Sequence, residues 1–163
     1  MFAGMFERPL GEKGKPLMMR DETILLVEDN PDDELLTRRA LRKSNVCNEV
    51  VVARDGAEAL DYLFATSAYE GRNPLAMPQV VLLDLDLPKV DGLEVLRRIR
   101  SDERTKRLPT VILTSSEDQR DLVEGYGLGA NGYVRKPLDL AQFRAAVQKL
   151  GLYWVVLNEV PRV

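Results

Sequence analysis

The chain has 163 residues, 45% of them hydrophobic and 30% charged, with a formal net charge of −3. That length and mixture suit one globular domain that buries its own core without staples, and the acidic balance argues against a nucleic-acid-binding module, which carries a basic face. The sequence holds no histidine and one cysteine, Cys47. Ser-His and Cys-His catalysis, histidine zinc sites, a phosphohistidine step within the chain and an intrachain disulfide are thereby excluded. A lone cysteine fits a reducing compartment. No apolar run reaches the length of a membrane span, so no membrane association and a cytoplasmic location are expected.

Residues 1–20 mix Gly, Pro and charge without a clean period and read as a flexible tail, not a signal peptide. Residues 21–150 then alternate between two kinds of pattern. Thr23–Val27 is a short apolar run that ends in Glu28-Asp29-Asn30. Pro31 opens a helical stretch to about Lys43, with Leu35, Leu36, Ala40 and Leu41 on one side. Glu49–Ala53 reads as a second strand, and Asp55 caps a helix to about Thr66 that turns Ala59, Leu60 and Leu63 inward. After a loop with Gly71, Pro74 and Pro78 comes a third strand, Gln79–Asp84, apolar on both faces. Asp91-Gly92 forms a turn and cap before a helix with Leu93, Leu96 and Ile99 inward. Thr110–Thr114 is a fourth strand, Glu117–Tyr126 a helix, Gly132–Arg135 a fifth strand, and Asp139 caps a last helix.

Five strands alternate with five helices, and strands that are apolar throughout belong inside a parallel sheet covered on both faces. Right-handed crossovers make that sheet doubly wound, with ligands expected beyond the carboxyl ends of its strands. Those ends carry Glu28 and Asp29, Asp84, Thr114-Ser115, and Lys136-Pro137. Three carboxylates crowded on one rim repel one another and call for a cation. Hard oxygen donors suit Mg²⁺, which keeps several waters and bridges readily to phosphate. A carboxylate beside such an ion can attack phosphorus, with the metal and a lysine neutralising the transferring oxygens and a nearby hydroxyl donating to the new group.

The segments ILLVEDNPDD, VVLLDLDLPKVDG, VILTSS and GYVRKP, in that order, resemble the receiver domain of two-component response regulators over roughly residues 22–150. The resemblance implies a flavodoxin-like (βα)5 fold with strand order 2-1-3-4-5. It implies Asp84 as phosphoacceptor and Mg²⁺ or Mn²⁺ held by Glu28, Asp29, Asp84 and the backbone carbonyl of Asp86. Thr114 would contact the phosphoryl group, Lys136 would pair with its oxygens, and Tyr133 would be an aromatic switch that follows Thr114. The bond before Pro137 would be cis, and Asp86 and Ser116 would bear on the lifetime of the phosphoryl group. The implied donor is a sensor histidine kinase, and the chain is expected to relay its signal to protein partners and not to turn over a substrate of its own.

Phe143, Val147, Leu150, Trp154 and Leu157 recur at spacings of 4, 3, 4 and 3, a heptad-like stripe on an extended C-terminal helix. Such a stripe would be an exposed patch in a monomer, so residues 151–163 read as a dimerising extension, expected to form a two-fold homodimer. On this reading no DNA-binding output domain is expected. LYWVVLNEVP and VEDNPDDELLTRRAL also resemble the small regulators that partner bacterial phytochrome kinases. Two other readings stand beside this one. Asp84-Leu-Asp86 matches the DxD motif of haloacid-dehalogenase-type phosphatases, in which the second Asp is a general acid. A phosphorylation-independent pseudo-receiver would use the same fold only for binding.

Overall fold

The computed structural model describes residues 23–43, 46, 48–115, 119–136, 141, 142 and 145. The C-terminal stripe (Phe143, Val147, Leu150, Trp154, Leu157), the Asp139 cap, Cys47, Ser116, Pro137 and the N-terminal tail lie outside the described residues. Within them the chain runs β1 (Thr23–Val27), α1 (Pro31–Lys43), β2 (Glu49–Ala53), α2 (Gly56–Phe64), a 3₁₀ turn (Ser67–Tyr69), β3 (Val80–Leu83), α3 (Gly92–Ser101), β4 (Thr110–Thr114), α4 (Gln119–Gly127) and β5 (Gly132–Arg135). All strand pairs are parallel, and the order across the sheet is β2-β1-β3-β4-β5.

The order explains the burial. β1, β3 and β4 are internal and every residue in them is buried, whereas β2 and β5 at the edges are partly exposed. A strand turns alternate side chains to opposite faces, so the two faces make separate cores. Leu25, Val27, Val81, Leu83 and Ile112 meet Ala59, Leu60 and Leu63 of α2 and Val95, Leu96 and Ile99 of α3. Ile24, Leu26, Val80, Leu82, Val111, Leu113 and Val134 pack with Leu41 of α1. Each buried leucine or valine contributes about 1.5–3 kcal/mol, and that is why these internal runs tolerate no polar residue until the strand ends.

Two helix faces differ from the sequence expectation. On α1 the buried positions are Thr37 and Leu41, while Leu35 and Leu36 remain 45% exposed. The helix meets the sheet along an i, i+4 row that includes a threonine, and the adjacent leucines fall to either side of it. On α3, Val95 joins Leu96 and Ile99 as fully buried, and Leu93 packs only at the margin of the core. α2 stops at Phe64, not Thr66, because Ala65 turns left-handed (φ 57°) and closes the helix. Asp55 and Asp91 cap as expected, accepting hydrogen bonds from Glu58 N at 2.7 Å and Glu94 N at 3.0 Å.

Two glycines set how closely the loops beyond β2 and β3 approach. A Cβ on Gly56 would overlap the carbonyl oxygen of Val90, and one on Gly92 would overlap the carbonyl oxygen of Asp84. Loop β2–α2 is thereby seated on loop β3–α3. Gly56→Ala should lower the urea midpoint at unchanged slope, by a stability loss of about 1–3 kcal/mol typical of overpacking.

Candidate functional site

Each candidate residue stands at the carboxyl end of a strand because a ladder hydrogen bond continues past it. Glu28 N donates to the Ala53 carbonyl (2.9 Å), Asp84 N to the Val27 carbonyl (3.1 Å) and Lys136 N to the Thr114 carbonyl (3.1 Å). These bonds bring residues from β1, β3, β4 and β5 to one rim. Carboxylate oxygens of Glu28, Asp29 and Asp84 lie within 4.8 Å of one another, with Glu28 and Asp84 buried and Asp29 exposed. Lys136 Nζ is 2.9 Å from Glu28 Oε1, 3.1 Å from Asp84 Oδ2 and 2.9 Å from Asp33 Oδ2. Thr114, the last residue of β4, is 3% exposed.

The other expected members sit further out. Asp86 is exposed, and its amide donates to Asp84 Oδ1 at 3.2 Å, which fixes the acceptor carboxylate from the loop side. Tyr133 on β5 is half-buried away from the acidic rim. Its hydroxyl donates to the Asp121 carbonyl in α4, and its ring lies 5.2 Å from that of Tyr126. A Cβ on Gly125 would overlap the Tyr133 hydroxyl, so this glycine makes the space the tyrosine fills. Burial, with the neighbouring Asp121 carboxylate second, raises the phenol to about 12, so it is a donor throughout the physiological range.

Sequence reasoning missed Asp33 as a site residue. It stands in the acidic first turn of α1, where a carboxylate is expected for the helix dipole alone, and it meets a lysine 103 positions away. The spacing from Glu28 gave no sign of that contact.

The electrostatics follow from burial. Desolvation raises the Glu28 carboxyl from 4.5 to about 7, with Lys136 pulling it down and Asp84 adding to the rise. Burial alone would lower the Lys136 ammonium, but Glu28, Asp33 and Asp84 together hold it above its ordinary value, so it is charged at any physiological pH. Glu28 Oε1 is buried and, beyond its ion pair with Lys136, accepts no hydrogen bond of good geometry among the described residues. Three hard carboxylates with an under-satisfied buried oxygen are a donor set that suits Mg²⁺ or Mn²⁺.

The arrangement has a family. Residues 24–148 match the response regulator receiver domain, and the chain belongs to that family. It is 55% identical to the bacteriophytochrome response regulator AtBRR, whose solved structure superposes with a TM-score of 0.76 over 85% of this chain and 98% of that one. It is 41% identical over 138 residues to a probable methanogenesis regulatory protein, FilR2, of Methanothrix harundinacea, covering 85% of this chain and 86% of that protein. It is 36% identical over 140 residues to the response regulator Rcp1 of Synechocystis sp., covering 86% of this chain and 93% of that protein. The Mn²⁺-bound structure of Rcp1 superposes with a TM-score of 0.68, at 35% identity over 86% of this chain and 99% of that one. The chain is therefore a receiver of the two-component type, with the sheet order that the resemblance implied. The phosphatase and pseudo-receiver readings are not favoured. No helix among the described residues is long and apolar enough to cross a membrane.

The Glu28 shift would give binding of a divalent cation at this cluster a pH dependence. A divalent cation binds the carboxylate and not the acid, so affinity for Mg²⁺ should rise about tenfold per unit from about pH 5 to about 7 and level off above. Calorimetric titration across that range reads it, and a flat affinity would mean that Glu28 is ionised throughout. The linked effect on the metal-free fold has the opposite sense. A carboxyl raised on folding from 4.5 to about 7 makes stability fall as pH climbs through that window.

Proposed function

We propose that this receiver accepts a phosphoryl group from a sensor histidine kinase on Asp84 and passes the signal on through a protein partner. The observation that carries this reading is the buried Asp84 carboxylate, 3.1 Å from Lys136 Nζ and grouped with Glu28 and Asp29. One Asp84 oxygen forms the bond to phosphorus. The bond from phosphorus to the donor's leaving atom breaks, and the electron pair departs with the leaving group. Asp29, Glu28 and Asp84, with the Asp86 backbone carbonyl, would hold Mg²⁺ or Mn²⁺, which supplies charge neutralisation at the transferring oxygens when bound. Lys136 supplies the fixed cation, and the Thr114 hydroxyl donates to the new group. Tyr133 reads the change at the edge of the sheet. Water hydrolyses the aspartyl phosphate to inorganic phosphate and the Asp84 carboxylate, at a rate on which Asp86 and Ser116 bear, and the resting state returns.

Likeness to AtBRR over nearly all of that chain supports a bacteriophytochrome kinase as the donor. The methanogenesis name of FilR2 gives the competing input, since a receiver fold alone does not fix the signal. We extend the proposal to a cytoplasmic homodimer joined through Phe143, Val147, Leu150, Trp154 and Leu157. Light scattering tests it: a dimer at micromolar concentration is expected, and a dimer that persists in Trp154→Ala with Leu157→Ala would place the contact elsewhere.

Incubation with acetyl phosphate and Mg²⁺ followed by intact mass tests the acceptor. One added phosphoryl mass is expected in the wild type, none in Asp84→Asn and none with chelator. Lys136→Ala should slow labelling by about a hundredfold, the scale set by removing one fixed charge-stabilising donor from a reacting site. Continuous phosphate release from a generic monoester without a lasting adduct would instead restore the phosphatase reading.

A further inference from the structure

A lysine ammonium has three N–H donors, and Lys136 has three carboxylate neighbours. Glu28 and Asp84 belong to the acidic rim already described. Asp33 does not. It is fixed in the first turn of α1, where its own amide donates to the capping Asn30 Oδ1 at 3.1 Å, and its carboxylate reaches across to Lys136 at 2.9 Å.

The three partners differ in their access to water. The side chains of Glu28 and Asp84 are 0% and 5% exposed, while that of Asp33 is 35% exposed. A buried carboxylate stripped of its cation keeps the full cost of its desolvation, whereas a partly exposed one exchanges an ammonium for water at little cost. Phosphorylation turns the Asp84 carboxylate into an acyl phosphate and carries the negative charge outward onto the phosphoryl oxygens, so an ammonium that follows that charge must loosen its hold on Glu28 or Asp33. Of those two, Asp33 is the one that water can satisfy.

We infer that Asp33 is a positioning residue, a latch that holds Lys136 in the unphosphorylated receiver and releases it to the phosphoryl group. The inference rests on Asp84 being the acceptor. Glu28 and Asp84 keep Lys136 in place without Asp33, so weakening the latch eases the transfer of the ammonium to the incoming group. Release also severs a tie between the first turn of α1 and the end of β5.

The test is the labelling rate with acetyl phosphate and saturating Mg²⁺, followed against donor concentration in the full chain. Asp33→Asn keeps the shape and an acceptor oxygen but loses the charge. Its maximal rate should rise about two- to fivefold, the range that a partly exposed ion pair is worth, with the half-saturating donor concentration unchanged. Asp33→Glu, which restores the charge on a longer arm, should bring the rate back toward wild type and shows that the position tolerates substitution. Asp32→Asn removes the same charge one residue away, at an exposed side chain that is not a Lys136 neighbour, and should leave the maximal rate as it is. A rate for Asp33→Asn at or below wild type, as a merely structural role would give, overturns the latch. So does an equal acceleration by Asp32→Asn, which would make the effect one of net charge. A wild type that takes no label while Asp84→Asn behaves identically would overturn the acceptor reading itself, a separate outcome from a labelled wild type with a slow Asp33→Asn.

Discussion

Glu28, Asp29 and Asp84 converge at one rim of the sheet, and the Lys136 ammonium lies between Glu28, Asp84 and, from the first turn of α1, Asp33. Without a cation there, Glu28 and Asp84 would be like charges in a nearly dry setting. At the effective dielectric of a protein such a pair costs several times what it would in water. Lys136 relieves only part of that. Glu28 still titrates near 7, because one ammonium shared among three carboxylates cannot offset the desolvation of each. The rim is thus left with excess negative charge and with an under-satisfied buried oxygen. Both are properties of a surface that takes up a divalent cation, and neither is expected where the residues serve only to hold the fold.

The backbone makes that crowding possible. Glu28 and Asp84 are each the first residue beyond an internal strand whose side chains are buried throughout, and each is tied to its neighbour strand by one more ladder bond. Their positions are set by the packing of Leu26, Val27, Leu82 and Leu83, one and two residues earlier, not by the attraction between the polar groups. From the loop side, the close approach of Gly92 to the Asp84 carbonyl and of Gly56 to Val90 removes the slack that the β3–α3 loop would otherwise have. Charged groups held by an apolar core at their base and by glycine contacts at their loops do not relax apart in the absence of a ligand.

Most of this rim was legible in the sequence, for a specific reason. A parallel strand buried on both faces writes an uninterrupted apolar run, so Val80-Val81-Leu82-Leu83 followed by an acid marks a strand end as well as its residue. Asp29, Asp84 and Thr114 could be read this way, and Lys136, after the partly exposed edge strand β5, from the alternation of strands and helices. The order of the strands could not, because periodicity records which face is buried and not which neighbour lies beside it. It came from resemblance. Leu35 and Leu36 were misplaced because α1 turns a row containing Thr37 to the core, and a threonine methyl packs where hydrophobicity alone favours leucine. Asp33 was hidden because an acid in the first turn of a helix already has a local explanation, and its second partner is set by tertiary packing alone.

The two halves of the sheet differ in how firmly they are held, and this bears on how a charge change at Asp84 would travel. β1 and β3 are covered on both faces and have no side chain free to reorient. β5 is an edge strand, and its Tyr133 is half-buried in a space that exists only because Gly125 lacks a side chain. The tyrosine's hydroxyl bonds to a carbonyl in the first two turns of α4, a helix that leaves Val123 and Tyr126 68% and 50% exposed. Lys136 is the residue directly after that strand. A shift of its ammonium toward a group on Asp84 would act at the end of β5, while the Tyr133 contact ties the middle of the strand to α4. The stiff side of the sheet fixes Asp84, and the side with fewer buried contacts is where a displacement of Lys136 would meet least resistance.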